Sequence, residues 1–265
     1  MKIKIAHKTE YAYSTPVVYA LQKVRLRPLD SSLQEILNWD ITVTGGKHET
    51  QYLDHYQNHV DLFSIEPGAQ TLSIRAEGTV LTKPENGVLG MVYGRAPLWH
   101  FKQPTPQTTP GEAIRAMSQV VSNNASQLNG LHELSHAILA AVPYQFGVTQ
   151  TNTTAEAALT GGRGVCQDHA QIFIAAARVA GIPARYVSGY LMMNDIVDQD
   201  ATHAWAEAHV DGLGWVGFDI SNGISPDERY VRIATGRDAR DAAPVEGLRQ
   251  GAADETLIVS LQVQQ

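Results

Sequence analysis

The sequence predicts an α+β protein: an antiparallel, sandwich-like β domain followed by a core of helices packed on an antiparallel sheet. Three observations carry that expectation. Short alternating runs separated by Gly and Pro fill the chain up to about residue 96. Apolar residues then recur at helix spacing as far as Gly181. Strand-like alternation returns from Ala184. The expected division is a β domain over 1–96, a linker over 97–110 and an α+β core over 111–265. Pro97, Pro104, Pro106 and Pro110 mark the linker, since closely spaced prolines interrupt both helix and sheet.

In the first region, Lys2 to His7 alternate, and a second run spans Val17 to Arg27. Asn38 to Thr44 reads as a strand stopped by Gly45-Gly46, with Glu49 to His55 as its partner across that turn. Asn58 to Ile65 and Thr71 to Val80 follow, separated by Pro67-Gly68. His48, His55 and His59 are scattered, as edge and turn positions are. In the helical region, Thr109-Pro110-Gly111-Glu112 resembles a helix start. Ile114, Met117, Val120 and Val121 line one helical face, and Leu128, Leu131, Leu134, Ile138 and Leu139 line the next. Pro143 to Gly147 breaks the pattern, and a short helix starts near Thr154. Ala170, Phe173, Ile174, Ala177 and Val179 give a further helix that stops at Gly181-Ile182-Pro183. The last region reads as strands over Ala184–Leu191, His203–Val210 and Trp215–Asp219. A polar loop (Asn194 to Asp200) and an irregular stretch (225–253) intervene before a final strand over Thr256–Val263.

Composition narrows the function. The formal net charge is −7, and no basic stripe carries interleaved aromatics, which argues against a nucleic-acid partner. No apolar run reaches membrane-spanning length, and the charged N-terminus lacks the apolar region of a signal peptide. A single cysteine excludes internal disulfides and cysteine-rich metal sites. The expected compartment is the cytoplasm, where a thiol stays reduced.

That cysteine, Cys166, follows Gly161-Gly162-Arg163-Gly164-Val165 and opens the fourth helical pattern. Unpaired N–H groups and the helix dipole favour an anion there, as a nucleophilic thiolate requires. Lone cysteines are also ordinary small apolar residues, so context decides. His203 begins one predicted strand and Asp219 ends the next. If the two pair as a hairpin across Gly212-Leu213-Gly214, His203 falls near Asp219. That is the base-plus-orienting-carboxylate arrangement a nucleophile needs.

The chain carries Gly164-Val165-Cys166-Gln167-Asp168, then Gly181-Ile182-Pro183-Ala184-Arg185-Tyr186-Val187-Ser188-Gly189-Tyr190. His203-Ala204-Trp205-Ala206-Glu207 and Gly214-Trp215-Val216-Gly217-Phe218-Asp219 follow. Upstream lie Tyr11-Ala12-Tyr13-Ser14, Arg25-Leu26-Arg27-Pro28 and Asp54-His55-Tyr56-Gln57-Asn58. Together these resemble the bacterial transglutaminase-like family, a branch of the papain-like superfamily, with its N-terminal β domain. The resemblance implies a papain- and transglutaminase-like core and a Cys166, His203, Asp219 triad. It implies a cysteine peptidase or amidase acting on a protein, peptide or small amide, by hydrolysis or transamidation, with no cofactor and no metal. There are two departures from the family: Ile220-Ser221 stands where Pro-Thr is common. Gln167 stands where animal transglutaminases and papain carry an aromatic residue.

Other residues have bland readings beside functional ones. Tyr144 either lines the cleft or packs. Trp205 and Trp215, both expected near the catalytic pair, shield the site or fill the core. Glu207 is expected to bridge Arg185 or to meet bound substrate, the structural role being preferred. Asp168 is expected to cap the helix, and His169 is too close in sequence to face Cys166. Asp195, Asp198 and Asp200 form a solvated loop or a gate. Two rival functions remain. His132-Glu133-Leu134-Ser135-His136 matches the short H-E-x-x-H zinc signature, with Glu156 as a third ligand. A non-enzymatic scaffold that keeps the fold is the other.

Overall fold

A computed structural model describes residues 1–17, 19–92, 94–194, 196–250 and 254–265. Strands β1 (Lys2–Tyr13), β2 (Tyr19–Val24), β3 (Gln34–Thr44), β4 (Gly46–Leu53), β5 (His59–Ile65), β6 (Thr71–Thr82) and β7 (Val88–Gly90) come first. Helices α1 (Glu112–Ser122), α2 (Gln127–Ala141), α3 (Ala155–Gly161) and α4 (Cys166–Val179) follow. The chain ends with β8 (Ala184–Leu191), β9 (Asp198–Gln199), β10 (His203–Val210), β11 (Gly214–Phe218), β12 (Tyr230–Gly236), β13 (Val245–Gln250) and β14 (Glu255–Gln264). This is the predicted α+β order.

Three antiparallel sheets result, ordered β3-β6-β1-β14-β9, β13-β2-β5-β4 and β12-β8-β10-β11-β7. Alternation along β1 puts its odd-numbered side chains on one face. That face serves two partners. Tyr11 and Tyr13 join Val24, Phe63, Leu72 and Ile74 in a core shared with the second sheet. Ile3 and Ile5, at the other end of the strand, join Tyr190, Val231, Ile233 and Leu261 against the third. The opposite face of the third sheet is covered by the helices. Ile114, Leu134, Ile172 and Phe173 pack there with Ala206, Ala208 and Phe218. The helix α4 is buried on nearly every side, so its N-terminus is held firmly. Among the described residues, no helix is long and apolar enough to cross a membrane.

Several expectations need correction. The strands β3 and β4 do not form a hairpin: β3 pairs with β6 and β4 with β5. The chain crosses from one sheet to the other at Gly45-Gly46, because the apolar core lies between the sheets. The described part of the stretch read as irregular, 225–250, carries the strands β12 and β13. Its alternation is obscured by a bulge between Arg232 and Ala234, and by the charge of Arg232, which Glu207 neutralises inside the fold. Sheet pairing also crosses the expected division. The strands β13 and β14 pair with β2 and β1, and β7 adds an edge to β11. The polar loop before His203 is pinned where β9 pairs with β14. Val18 in the second predicted strand, Asp195 in that loop and residues 251–253 lie outside the described residues.

Candidate active site

Cys166 is set in place by the turn before it. Gly162 caps α3 in the left-handed region, at φ 66°, where side-chain-bearing residues are strained. Residue 164 then bridges to Tyr144, and Gln145 donates its N–H to the carbonyl of Gly164 at 2.8 Å. A Cβ on Gly164 would lie 2.9 Å from the Asp168 carboxylate, so only glycine fits. That carboxylate accepts the Val165 N–H at 2.9 Å and the Thr149 hydroxyl at 2.7 Å. Asp168 is therefore the expected helix cap. It leaves the N–H groups of Cys166 and Gln167, which have no acceptor one turn back, at the mouth of the helix. Cys166 itself is half-buried.

The base and carboxylate come from the hairpin. The strands β10 and β11 pair with Ala206 opposite Phe218 and His209 opposite Trp215. Beyond β11 the chain doubles back: Asp219 and Ile224 exchange backbone hydrogen bonds of 2.8 and 3.1 Å. His203 Nε2 donates to Asp219 Oδ2 at 2.6 Å. That leaves Nδ1 as the free ring nitrogen, and the Cys166 thiol lies near enough to raise the His203 pKa. The structure thus brings all three predicted site residues together.

Asp219 is fully buried and collects further donors. The Tyr230 hydroxyl donates to Oδ2 at 2.6 Å, Asn222 Nδ2 to Oδ2 at 2.7 Å, and the Asn222 N–H to Oδ1 at 3.2 Å. Burial pushes the Asp219 carboxyl up, but His203, Tyr230 and Asn222 together hold it below the usual value. Burial likewise pushes His203 down. The Asp219 hydrogen bond and the neighbouring thiol outweigh it and raise the imidazole to about 10.

The adjacent His169 makes the contrast. Its Nε2 donates to the Val142 carbonyl at 2.7 Å, so its Nδ1 accepts from the Ser221 hydroxyl at 2.8 Å. Burial lowers its pKa despite that carbonyl and two nearby aspartates. It is a neutral strut between α4 and the turn after Asp219. Ser221, where the family commonly has threonine, supplies the hydroxyl that satisfies its remaining ring nitrogen.

Trp205 is buried and lies nearly parallel to the His203 ring at 6.3 Å, with Tyr230 edge-on to Trp205 at 5.5 Å. Trp215, expected beside the pair, lies instead at the far end of the hairpin against Phe101, His209 and the Arg185 guanidinium. Its parity along the strand is right, but the hairpin's length separates it from Asp219. Tyr144 is half-exposed on the rim, where burial and the nearby Cys166 and Asp219 raise its pKa. Glu207 binds Arg185 Nε at 2.6 Å and Arg232 Nε at 2.9 Å. Tyr230 was not legible in the sequence, since it sits in the stretch read as irregular.

The zinc reading loses its third ligand. Glu156 accepts the N–H groups of Gly111, Ala113 and Ile114 at 2.9, 2.9 and 3.1 Å, and so caps α1. The His132 ring packs 5.0 Å from Phe218. Among the described residues, no group of three His, Cys, Asp or Glu side chains is arranged to hold a metal ion.

Comparison with known proteins bears on the family and the fold. Residues 103–220 match the transglutaminase-like superfamily model, and residues 3–81 match the bacterial transglutaminase-like N-terminal region. An uncharacterized Mycobacterium leprae protein is 27% identical over 98% of both chains. A Mycobacterium bovis relative is 27% identical over 93% of this chain and 87% of its own. The fold is similar to the crystal structure of a candidate cysteine protease from Cytophaga hutchinsonii. It has a TM-score of 0.77 and 23% identity, covering 100% of this chain and 98% of that one. With the N-terminal region and the core matched in tandem, the chain belongs to the bacterial transglutaminase-like family.

Proposed function

We propose that the protein is a thiol-dependent acyl-transfer enzyme of the cysteine peptidase or amidase type, acting on a protein, peptide or small amide. The observation that carries this reading is the 2.6 Å His203–Asp219 pair meeting Cys166 at the mouth of α4. Cys166 and His203 work as a thiolate and an imidazolium. The Cys166 sulfur adds to the carbonyl carbon, and the N–H groups of Cys166 and Gln167 receive the oxyanion. As the C–N bond breaks, His203 gives its proton to the leaving amine, and a thioester remains. Water then attacks the thioester while His203 takes its proton. The C–S bond breaks, releasing a carboxylic acid and restoring the thiolate. A primary amine in place of water gives transamidation through the same steps. One misplaced oxyanion donor costs about 3 kcal/mol in related chemistry, which explains why the capped, glycine-led turn matters as much as the three side chains.

The test uses p-nitrophenyl acetate, an activated acyl donor that needs little recognition. Expected is a burst of nitrophenol with one acetyl group on Cys166, found by peptide mass spectrometry. The burst is absent in Cys166→Ser and His203→Ala, and added primary amine speeds turnover if transamidation operates. Acetylation scattered over lysines, with none on Cys166, would sink the proposal.

A further inference from the structure

The strand β12 lies at the edge of the third sheet, so among the described residues its outer N–H and C=O groups have no strand partner. Two buried amide side chains from the N-terminal β region take that place. Gln34, at the start of β3, donates from Nε2 to the Arg232 carbonyl at 2.8 Å and accepts the Arg232 N–H at 2.8 Å. Asn58, just before β5, donates to the Thr235 carbonyl at 2.7 Å and accepts the Thr235 N–H at 2.8 Å. Each amide mimics one rung of a neighbouring strand. Residues three apart normally face opposite edges of a strand. The bulge between Arg232 and Ala234 is what turns both rungs outward. Thr82 adds a hydrogen bond to the Glu228 carbonyl. The Asn58 side chain is itself aimed, because Asp54 accepts both its backbone N–H, at 2.9 Å, and its Nδ2, at 3.0 Å.

The gripped segment carries Tyr230 between the Glu228 and Arg232 holds, and Tyr230 donates to Asp219 at 2.6 Å. We propose that the N-terminal β region is part of the site: through Gln34 and Asn58 it registers β12 so that Tyr230, a positioning residue, fixes the Asp219 carboxylate that orients His203. The Asp54 to Asn58 stretch thereby acquires a role in the chemistry of the other half of the chain. This rests on the thiolate–imidazolium reading of Cys166 and His203.

The readout is the pH profile of Cys166 alkylation by iodoacetamide, which needs no substrate. The titratable groups around Asp219 are His203 on β10, Cys166 and His169 on α4, Tyr144 on the preceding loop and Tyr230 itself. Removing the Tyr230 donor leaves the Asp219 anion less well held, so Tyr230→Phe is expected to move the acid limb to higher pH. Labelling near the acid limb should fall about tenfold. Gln34→Ala and Asn58→Ala each leave the other clamp in place and are expected to shift the limb the same way by a smaller factor. Combined with Tyr230→Phe, neither adds a further shift. Clamps that only stabilise the fold would lower the melting temperature and leave the profile where it was, and that result would overturn the proposal. A wild-type profile in Tyr230→Phe, which keeps the ring in its apolar cluster, would overturn it even where a clamp variant melts early. Labelling that ignores His203→Ala would instead remove the reading beneath it, and the two failures are told apart by that variant.

Discussion

Two buried carboxylates stand on one hairpin and differ only in their company. Glu207, on β10, meets two guanidiniums, Arg185 and Arg232. Asp219, just past β11, meets one imidazole and the neutral donors of Tyr230 and Asn222. Burial pushes Glu207 up, but the two arginines hold it below its usual value. Burial also brings Arg185 down to about 10, so it stays cationic at neutral pH. The Glu207 cluster therefore has a fixed charge state and ties β8, β10 and β12 together. The partner of Asp219 can gain and lose a proton beside a thiol, which is what the proposed chemistry needs. A carboxylate ringed by permanent cations reads as structure, and one shared with a titratable ring reads as a site.

Substitutions sharpen that contrast. The largest effect is expected from Asp219→Asn, which keeps the shape but removes the charge that holds the imidazolium. Nitrophenol release in the burst assay should fall by about 10⁴-fold, as for comparable triads, with a modest loss of melting temperature. Glu207→Gln should do the reverse. It leaves two buried guanidiniums without an anion, at a cost of about 3 kcal/mol, or roughly 10 °C by calorimetry, while the folded fraction keeps its burst. Equal stability losses with equal activity losses would break the distinction.

The pH dependence of stability follows with smaller effect. The folded pKa of His203 lies above the unfolded value of 6.5. Its contribution is therefore fully present below pH 6.5 and is lost as pH rises through about 10. The folded pKa of Asp219 lies below 3.8, so its contribution is present above that value and is lost as pH falls through the folded one. Chemical denaturation across pH should show an alkaline decline that His203→Ala removes. A decline centred on the ordinary histidine range would contradict it. Ser221→Ala is the smallest case. It loses one neutral hydrogen bond to His169, for about 1 kcal/mol by denaturant titration, and leaves the alkylation profile in place.

What the sequence disclosed follows the range of each interaction. The strands β10 and β11 are joined by a three-residue turn, and α4 has a strong apolar period, so local pattern placed Cys166 at a helix start and His203 near Asp219; that the three meet was implied by the family resemblance. Asp168 was readable as a cap because the backbone N–H it accepts, that of Val165, lies within one turn. Tyr230 was hidden because β12 carries a bulge and a charged residue whose neutralising partner lies on another strand. Gln34 and Asn58 look like ordinary polar residues until their distant backbone partners are known. The return of β13 and β14 to β2 and β1 had no local signal, because long-range pairing leaves no trace in periodicity. Trp215 misled for the opposite reason: it is near Asp219 in sequence and a hairpin's length away in space.

The most direct measurement is the rate of Cys166 alkylation near pH 6, in the wild type and in His203→Ala, followed by mass spectrometry. An ordinary thiol is almost fully protonated at about that pH and labels slowly. Rapid labelling in the wild type, strongly slowed in His203→Ala, is expected if the two groups form an ion pair at the mouth of α4. Slow labelling that is indifferent to His203 would contradict it.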